Sequence, residues 1–85
     1  MKPTFTEAAW DDYPWWLAQD SQTLKRIDRL IEGAKRDPFG GIGEPEPLKH
    51  NPTGASSRRI TDEHRLVHLS DTDQLTIIAC RYDYE

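Results

Sequence analysis

The chain has a single cysteine, Cys80, so an intrachain disulfide and a cysteine-based zinc cluster are both excluded. Cys80 reads as an ordinary strand residue. Long apolar runs are also missing. No stretch approaches the roughly 18 residues of a membrane span, hydrophobic residues make up 35% of the chain, and mean hydropathy is −0.83. The first residues, Met1 to Thr6, lack the charged-then-apolar pattern of a signal peptide. A cytoplasmic location without a membrane partner is therefore expected. There is no internal repeat and no low-complexity tract. No glycine cluster lies between a strand and a helix start, which removes a P-loop or dinucleotide site. A nucleophile elbow is absent too. His50, His64 and His68 have no tight ligand spacing, and on a strand His64 and His68 would stand about 13 Å apart. Neither a metal nor a cofactor is expected.

What remains suits one small domain, residues 1–85, of 9.8 kDa. Three Trp, three Tyr and two Phe, with six Ile and seven Leu, can build a thin core. The net charge of −4 argues against a sequence-blind coat for nucleic acid. Its distribution is uneven. Residues 1–20 and 69–85 are each net −3, residues 21–43 are net +2, and residues 44–68 are neutral. Inside the neutral block, Leu48 to Ile60 holds Lys49, Arg58 and Arg59 with His50 and no acid, and Arg65 follows. Such an island on an acidic protein suits a focused phosphate contact. Solvated charges beside a turn are the plainer alternative.

Lys2 to Phe5 reads as a short strand at an edge, where Pro3 is tolerated. Thr6 can cap a helix with Glu7 in its first turn. Trp10, Tyr13 and Leu17 recur at helical spacing, joined by Trp16, and are expected in the core. Pro14 predicts a kink or break there. Asp20 or Ser21 can cap a second helix, whose apolar stripe is Leu24, Ile27, Leu30, Ile31 and Ala34. Asp37-Pro38 ends it. Phe39 to Pro52, rich in glycine and proline, reads as a structured loop. Three strands follow, at about 56–61, 64–69 and 74–82, with turns at Asp62-Glu63 and Asp71 to Asp73. Two helices followed by an antiparallel meander make an α+β domain.

The loop carboxylate Glu46, held between Pro45 and Pro47 and followed by cations, allows metal-free RNA cleavage. Attack by a 2′-hydroxyl needs a base, cations for the phosphorane charge, and an acid for the 5′-oxygen. Glu46 could be the base, and Lys49, Arg59 and Arg65 the cations. Arg58 belongs to the same basic island as a further phosphate contact. Arg59 and Arg65 can meet across a hairpin. The same arginines could instead pair with Asp62, Glu63 or Asp83.

The run Pro38-Phe39-Gly40-Gly41-Ile42-Gly43-Glu44-Pro45-Glu46-Pro47-Leu48-Lys49-His50 resembles the YoeB/Txe family of bacterial toxins, part of the RelE superfamily. So do Ser57 to Val67, Ala79 to Tyr84, and Ala9-Trp10-Asp11-Asp12-Tyr13. The resemblance covers essentially the whole chain. It implies a RelE-like fold, with two N-terminal helices packed on a small antiparallel sheet. It implies a ribosome-dependent mRNA endoribonuclease that blocks translation. The implied partners are the ribosome and mRNA, a YefM-type antitoxin, operator DNA through the antitoxin complex, and a possible homodimer. By position, Glu46 becomes the general base, Lys49, Arg59 and Arg65 the groups around the scissile phosphate, and Tyr84 the functional C-terminal aromatic.

The chain also departs from that family. Asp83 stands where a histidine usually serves as the acid, so Asp83 is the candidate proton donor. A free aspartate titrates near ~3.9 and imidazole near ~6.5, which makes Asp83 a poor donor at neutral pH. Ala55 and Ser56 replace an aromatic pair after Gly54, His68 replaces a tyrosine, and Glu44, Pro52 and Glu85 are unusual. The alternative implied function is a catalytically weakened binding module on the same fold.

Overall fold

Lys2–Phe5 form strand β1 in the computed structural model, which describes residues 1–49 and 53–82. With Pro3 unable to donate, β1 lies at a sheet edge, as the sequence predicts. Thr6 caps helix α1, Glu7–Gln19. Its Oγ1 accepts from the Ala9 N–H at 3.2 Å and donates to the Ile78 carbonyl at 2.8 Å. Asp20 alone joins α1 to helix α2, Ser21–Arg36. Its N–H closes α1 on the Trp16 carbonyl, while its carboxylate accepts from the Gln22 and Thr23 N–H groups. The Thr23 hydroxyl, then those N–H groups, hold the Asp20 carboxyl below its usual range.

The α2 stripe of Leu24, Ile27, Leu30, Ile31 and Ala34 is buried throughout, as its spacing predicts. Burying a side chain such as Ile27 or Leu30, each 0% exposed, contributes about 2 kcal/mol. Helix α1 is less regular. It runs through Pro14 without a break. Pro14 and Trp10 both lie on its exposed side, so solvent can reach the Trp10 carbonyl that Pro14 leaves unbonded. The expected aromatic stripe is shifted in phase. Trp16 is buried and Tyr13 packs against the core, but Trp10 and Leu17 are 63% and 64% exposed. Ala9 and Trp16, two turns apart, define the buried face, and Trp10 rests edge-on against Phe5 at the rim.

Four more strands complete one sheet: β2 (Glu46–Pro47), β3 (Ser56–Arg59), β4 (Arg65–Ser70) and β5 (Gln74–Ala79). Their order is β1-β5-β4-β3-β2. The β3–β4–β5 meander is antiparallel as expected, while β1 adds to β5 in parallel, a pairing outside the expected meander. Both edge strands contain a proline, which discourages further pairing. The helices cover one face, where Ile60, Leu66, Leu75, Ile77 and Cys80 complete the main core. A smaller cluster of Leu48, Ala55, Val67 and Ala79 lies apart from it. Adjacent residues Leu66 and Val67 enter different clusters because side chains alternate along β4.

The last strand ends at Ala79, short of the expected Tyr82. Helix α1 takes over its hydrogen bonds. Asp12 accepts from the Cys80 N–H at 3.1 Å, and the Trp16 indole donates to the Cys80 carbonyl at 2.7 Å. Two side chains one helical turn apart thereby clamp the backbone of one residue, Cys80, on both sides. Tyr82 then adopts φ 62, a left-handed backbone that cannot continue a strand. Burial, with Asp12 nearby, raises the Cys80 thiol to about 12, so it stays protonated and inert.

Candidate catalytic cleft

The β3–β4 hairpin sets Arg59 directly opposite Arg65. On the other side of β3, Glu46 pairs with Ser57. Ser57 and Arg59 are two apart, so they share a face of the strand. The result is a cleft of about 370 Å³ lined by Glu44, Pro45, Glu46, Ser57, Arg59 and Arg65. The expected meeting of Arg59 and Arg65 across a hairpin is present, and Glu46 joins them. Glu46 sits in the two-residue strand β2 rather than in an unpaired loop. It is exposed, and among the described residues no ion pair engages its carboxylate.

The backbone around this carboxylate is tightly specified. The Arg59 N–H donates to the Gly43 carbonyl at 2.7 Å, and the Leu48 N–H to the Ala55 carbonyl at 3.0 Å. Gly43 has φ 89, and a Cβ there would lie 2.6 Å from Leu30 Cδ2, so only glycine fits. Glu44 also has a positive φ, 52, without being glycine. That strain costs on the order of 1 kcal/mol and is imposed by the pinned neighbours.

The two cleft arginines are held differently. Arg59 Nε lies 3.1 Å from the Glu44 carboxylate, and Arg59 Nη1 lies 3.3 Å from Asp62. All three side chains are solvent-exposed, so these pairs exchange readily for another anion. Arg65 uses one nitrogen, Nη1, to donate to the Thr61 carbonyl at 2.6 Å and the His64 carbonyl at 3.1 Å. Its remaining N–H groups make no bond among the described residues and can serve the cleft. Behind them, Arg26 of α2 donates to the Arg59 and Ile60 carbonyls and braces the end of β3.

Arg58, expected among the phosphate contacts, is not at the cleft. It is 0% exposed, on the opposite face of β3 from Arg59. Its Nε donates to His68 Nε2 at 3.2 Å, Nη1 to the Ile42 carbonyl at 2.8 Å, and Nη2 to the Asp37 carbonyl at 2.6 Å. Every branch of the guanidinium is used to fasten the loop after α2 onto the sheet. Burial lowers its pKa from the ordinary arginine value. Burial, and then the Arg58 charge, push His68 down to about 4, so the imidazole is neutral and accepts at Nε2. Lys49 is exposed and follows buried Leu48, outside the cleft wall. Asp83 and Tyr84 lie outside the described residues, as does His50. The Tyr82 carbonyl accepts from the Arg65 N–H at 3.0 Å, which brings residue 82 beside the cleft arginine.

Sequence reasoning missed Glu44, Ser57 and Arg26. Strand alternation from Arg59 was the available signal for Ser57. Glu44 and Arg26 depend on loop and interelement geometry that no local pattern carries. His64, weighed as a ligand, has Nδ1 accepting from the Tyr82 N–H at 2.8 Å, and its ring lies edge-on to Trp16.

Two helices packed on one face of a five-stranded, mostly antiparallel sheet form the fold of a RelE-like toxin. The profile of the YoeB-like toxin of bacterial type II toxin–antitoxin systems matches residues 5–84, and the chain belongs to that family. Toxin YoeB of Escherichia coli K12 is 52% identical over 84 residues, covering 99% of this chain and 100% of its own. The YoeB dimer from Staphylococcus aureus superposes with a TM-score of 0.92 at 40% identity, covering 99% and 98%. The heterotetrameric YoeB–YefM toxin–antitoxin complex from the same organism gives 0.88 at 40% identity over the same shares.

Proposed function

We propose that this chain is a toxin that cleaves mRNA on the ribosome, neutralised by a YefM-type antitoxin. The observation that carries the reading is the shared cleft of Glu46, Arg59 and Arg65. In this reading Glu46 removes the proton from a 2′-hydroxyl. The oxygen attacks the adjacent phosphorus and forms a 2′,3′-cyclic phosphate, while the bond to the 5′-oxygen breaks and that oxygen takes a proton. Arg59 and Arg65 face the phosphorane oxygens with charge-assisted donors, and need no metal to do so. For this, Arg59 exchanges Glu44 and Asp62 for the phosphate. Lys49 contributes to the local positive field from outside the cleft wall. Asp83 is the proton donor in this scheme, with Tyr84 beside it in sequence. The partner assignment follows from the YoeB–YefM assembly of the Staphylococcus aureus relative, and a homodimer from its YoeB dimer. Operator DNA is then reached through the antitoxin.

A second reading, a binding module with little cleavage, draws on Arg59. It is already paired with two carboxylates, and the sequence has Asp83 where the family has histidine. One experiment separates the two: primer extension on mRNA during induced expression, with wild type beside Glu46→Gln. Cuts within translated codons that vanish when translation is blocked support the nuclease. Loss of a positioned base lowers the rate by roughly 10²–10⁴-fold. Equal cutting by the two proteins would remove Glu46 from the mechanism, and no cutting by wild type would leave the binding module.

A further inference from the structure

Phe39 is the most exposed of the large hydrophobic side chains described, at 76%. Its exposure is not the result of a loose turn. The Phe39 N–H donates to the Asp37 carboxylate at 3.2 Å, and the buried Arg58 grips the Asp37 and Ile42 carbonyls on either side. An aromatic ring on an anchored turn is a presented surface. It borders a concavity of about 130 Å³ lined by Phe39, Pro45, Glu46, Pro47, Gly54 and Ser56.

Three features of this concavity define its occupant. It is small, which excludes a helix or a strand. Its walls include one aromatic and two proline rings, flat apolar faces suited to a planar heterocycle. It shares Pro45 and Glu46 with the catalytic cleft, but Ser56 stands on the other face of β3 from Ser57 and Arg59, so the two meet across the edge strand β2. Gly54 has φ 85, and a Cβ there would meet nothing within 4 Å, so the rim at that point is open.

We propose that Phe39 and the flanking prolines form a nucleobase subsite, stacking a base of single-stranded RNA next to the phosphodiester that Glu46 addresses. This rests on the nuclease reading above and extends it from phosphate to base. The Ser56 hydroxyl at the edge is a hydrogen-bonding partner for the rim of that base.

The test is single-turnover cleavage of mRNA on programmed ribosomes. It compares wild type with Phe39→Ala on intact message and on messages with an abasic nucleotide on the 5′ or the 3′ side of the cut. Stacking predicts that Phe39→Ala slows intact message by roughly 5- to 150-fold. On one of the two abasic messages wild type and variant should cleave equally, because the ring then has nothing to stack on. Phe39→Trp should retain the wild-type pattern. Phe39→Leu repeats the comparison, with bulk but no ring, should alanine disturb the turn. Equal slowing on all three messages, or no slowing on any, overturns the subsite while leaving the nuclease intact. Normal cleavage by Phe39→Ala with lost antitoxin binding would also overturn it, assigning the ring to a protein partner. If wild type cleaves no message, the nuclease reading fails and the subsite fails with it.

Discussion

Acidification should destabilise this protein through His68. The imidazole is 1% exposed, and its Nε2 accepts from Arg58 Nε at 3.2 Å. Protonating that nitrogen removes the acceptor and sets a second cation against a buried guanidinium. Burial, and secondarily Arg58, lower the His68 pKa from 6.5 to about 4. Between those values the unfolded chain binds a proton that the folded chain refuses. Stability is therefore complete above pH 6.5 and is lost as pH falls toward 4. A difference of some two and a half units, at ~1.36 kcal/mol each, is worth about 3 kcal/mol. That is a large share of the total for a small domain, typically about 5–15 kcal/mol. The assay is urea unfolding followed by tryptophan fluorescence at several pH values from 7.5 down to 4.5, for wild type and His68→Gln. Glutamine can accept from Arg58 but does not titrate. The lowered carboxyls of Asp20, Glu32 and Asp71 act at lower pH and are common to both proteins. Wild type should lose stability with a slope approaching ~1.4 kcal/mol per pH unit below 6.5, and His68→Gln should be flatter by that amount. Identical slopes in the two proteins would refute the argument.

The neighbouring arginines should separate cleanly by assay. Arg58→Met should cost about 3 kcal/mol in urea unfolding, since it removes three hydrogen bonds, one of them buried, to His68 and the Ile42 and Asp37 carbonyls, whereas Arg59→Met should change stability by about 0.5 kcal/mol or less and, on the nuclease reading proposed above, abolish most cleavage. Glu44→Gln should release Arg59 and tighten binding of inorganic phosphate by about two- to fivefold at low salt. Isothermal titration would show the gain disappearing at high salt, and a persistent gain there would point away from the ion pair.

Much of this fold could be read from local patterns because those patterns match the environments that formed. The α2 stripe is legible since every apolar position faces the core and nearly every other position faces solvent. The hairpin register of Arg59 and Arg65 follows from a short turn between two strands. Helix α1 was misread where apolar residues outnumber buried sites. Trp10, Tyr13, Trp16 and Leu17 compete for one face, and only the long-range bond from Trp16 to the Cys80 carbonyl decides the winner. That bond also ends β5 early, which the alternation of residues 74–82 could not reveal. Arg58 was misassigned for a similar reason. A basic dipeptide on a strand must place its members on opposite faces, but the sequence does not state which face the helices cover.

The burial of Arg58 also shows how the cleft is assembled. Strand β3 carries one of the cleft's cations, and the same strand builds the loop that delivers its carboxylate. Arg59 offers its side chain to the cleft and its N–H to the Gly43 carbonyl. Arg58 reaches the other way and binds the Ile42 and Asp37 carbonyls. Residues 37–43 are therefore registered against β3 from both sides, and Glu44, Pro45 and Glu46 follow with little freedom left. The distance between the Glu46 carboxylate and the arginines is set by the two-residue ladder of β2 on β3, short enough that it would not hold register alone. The guanidinium of Arg58 supplies the missing constraint. It follows that a variant at Arg58 should lose cleavage even under conditions where it remains folded. On the nuclease reading proposed above, its loss should exceed the unfolded fraction, because a displaced Glu46 would be a poorly positioned base.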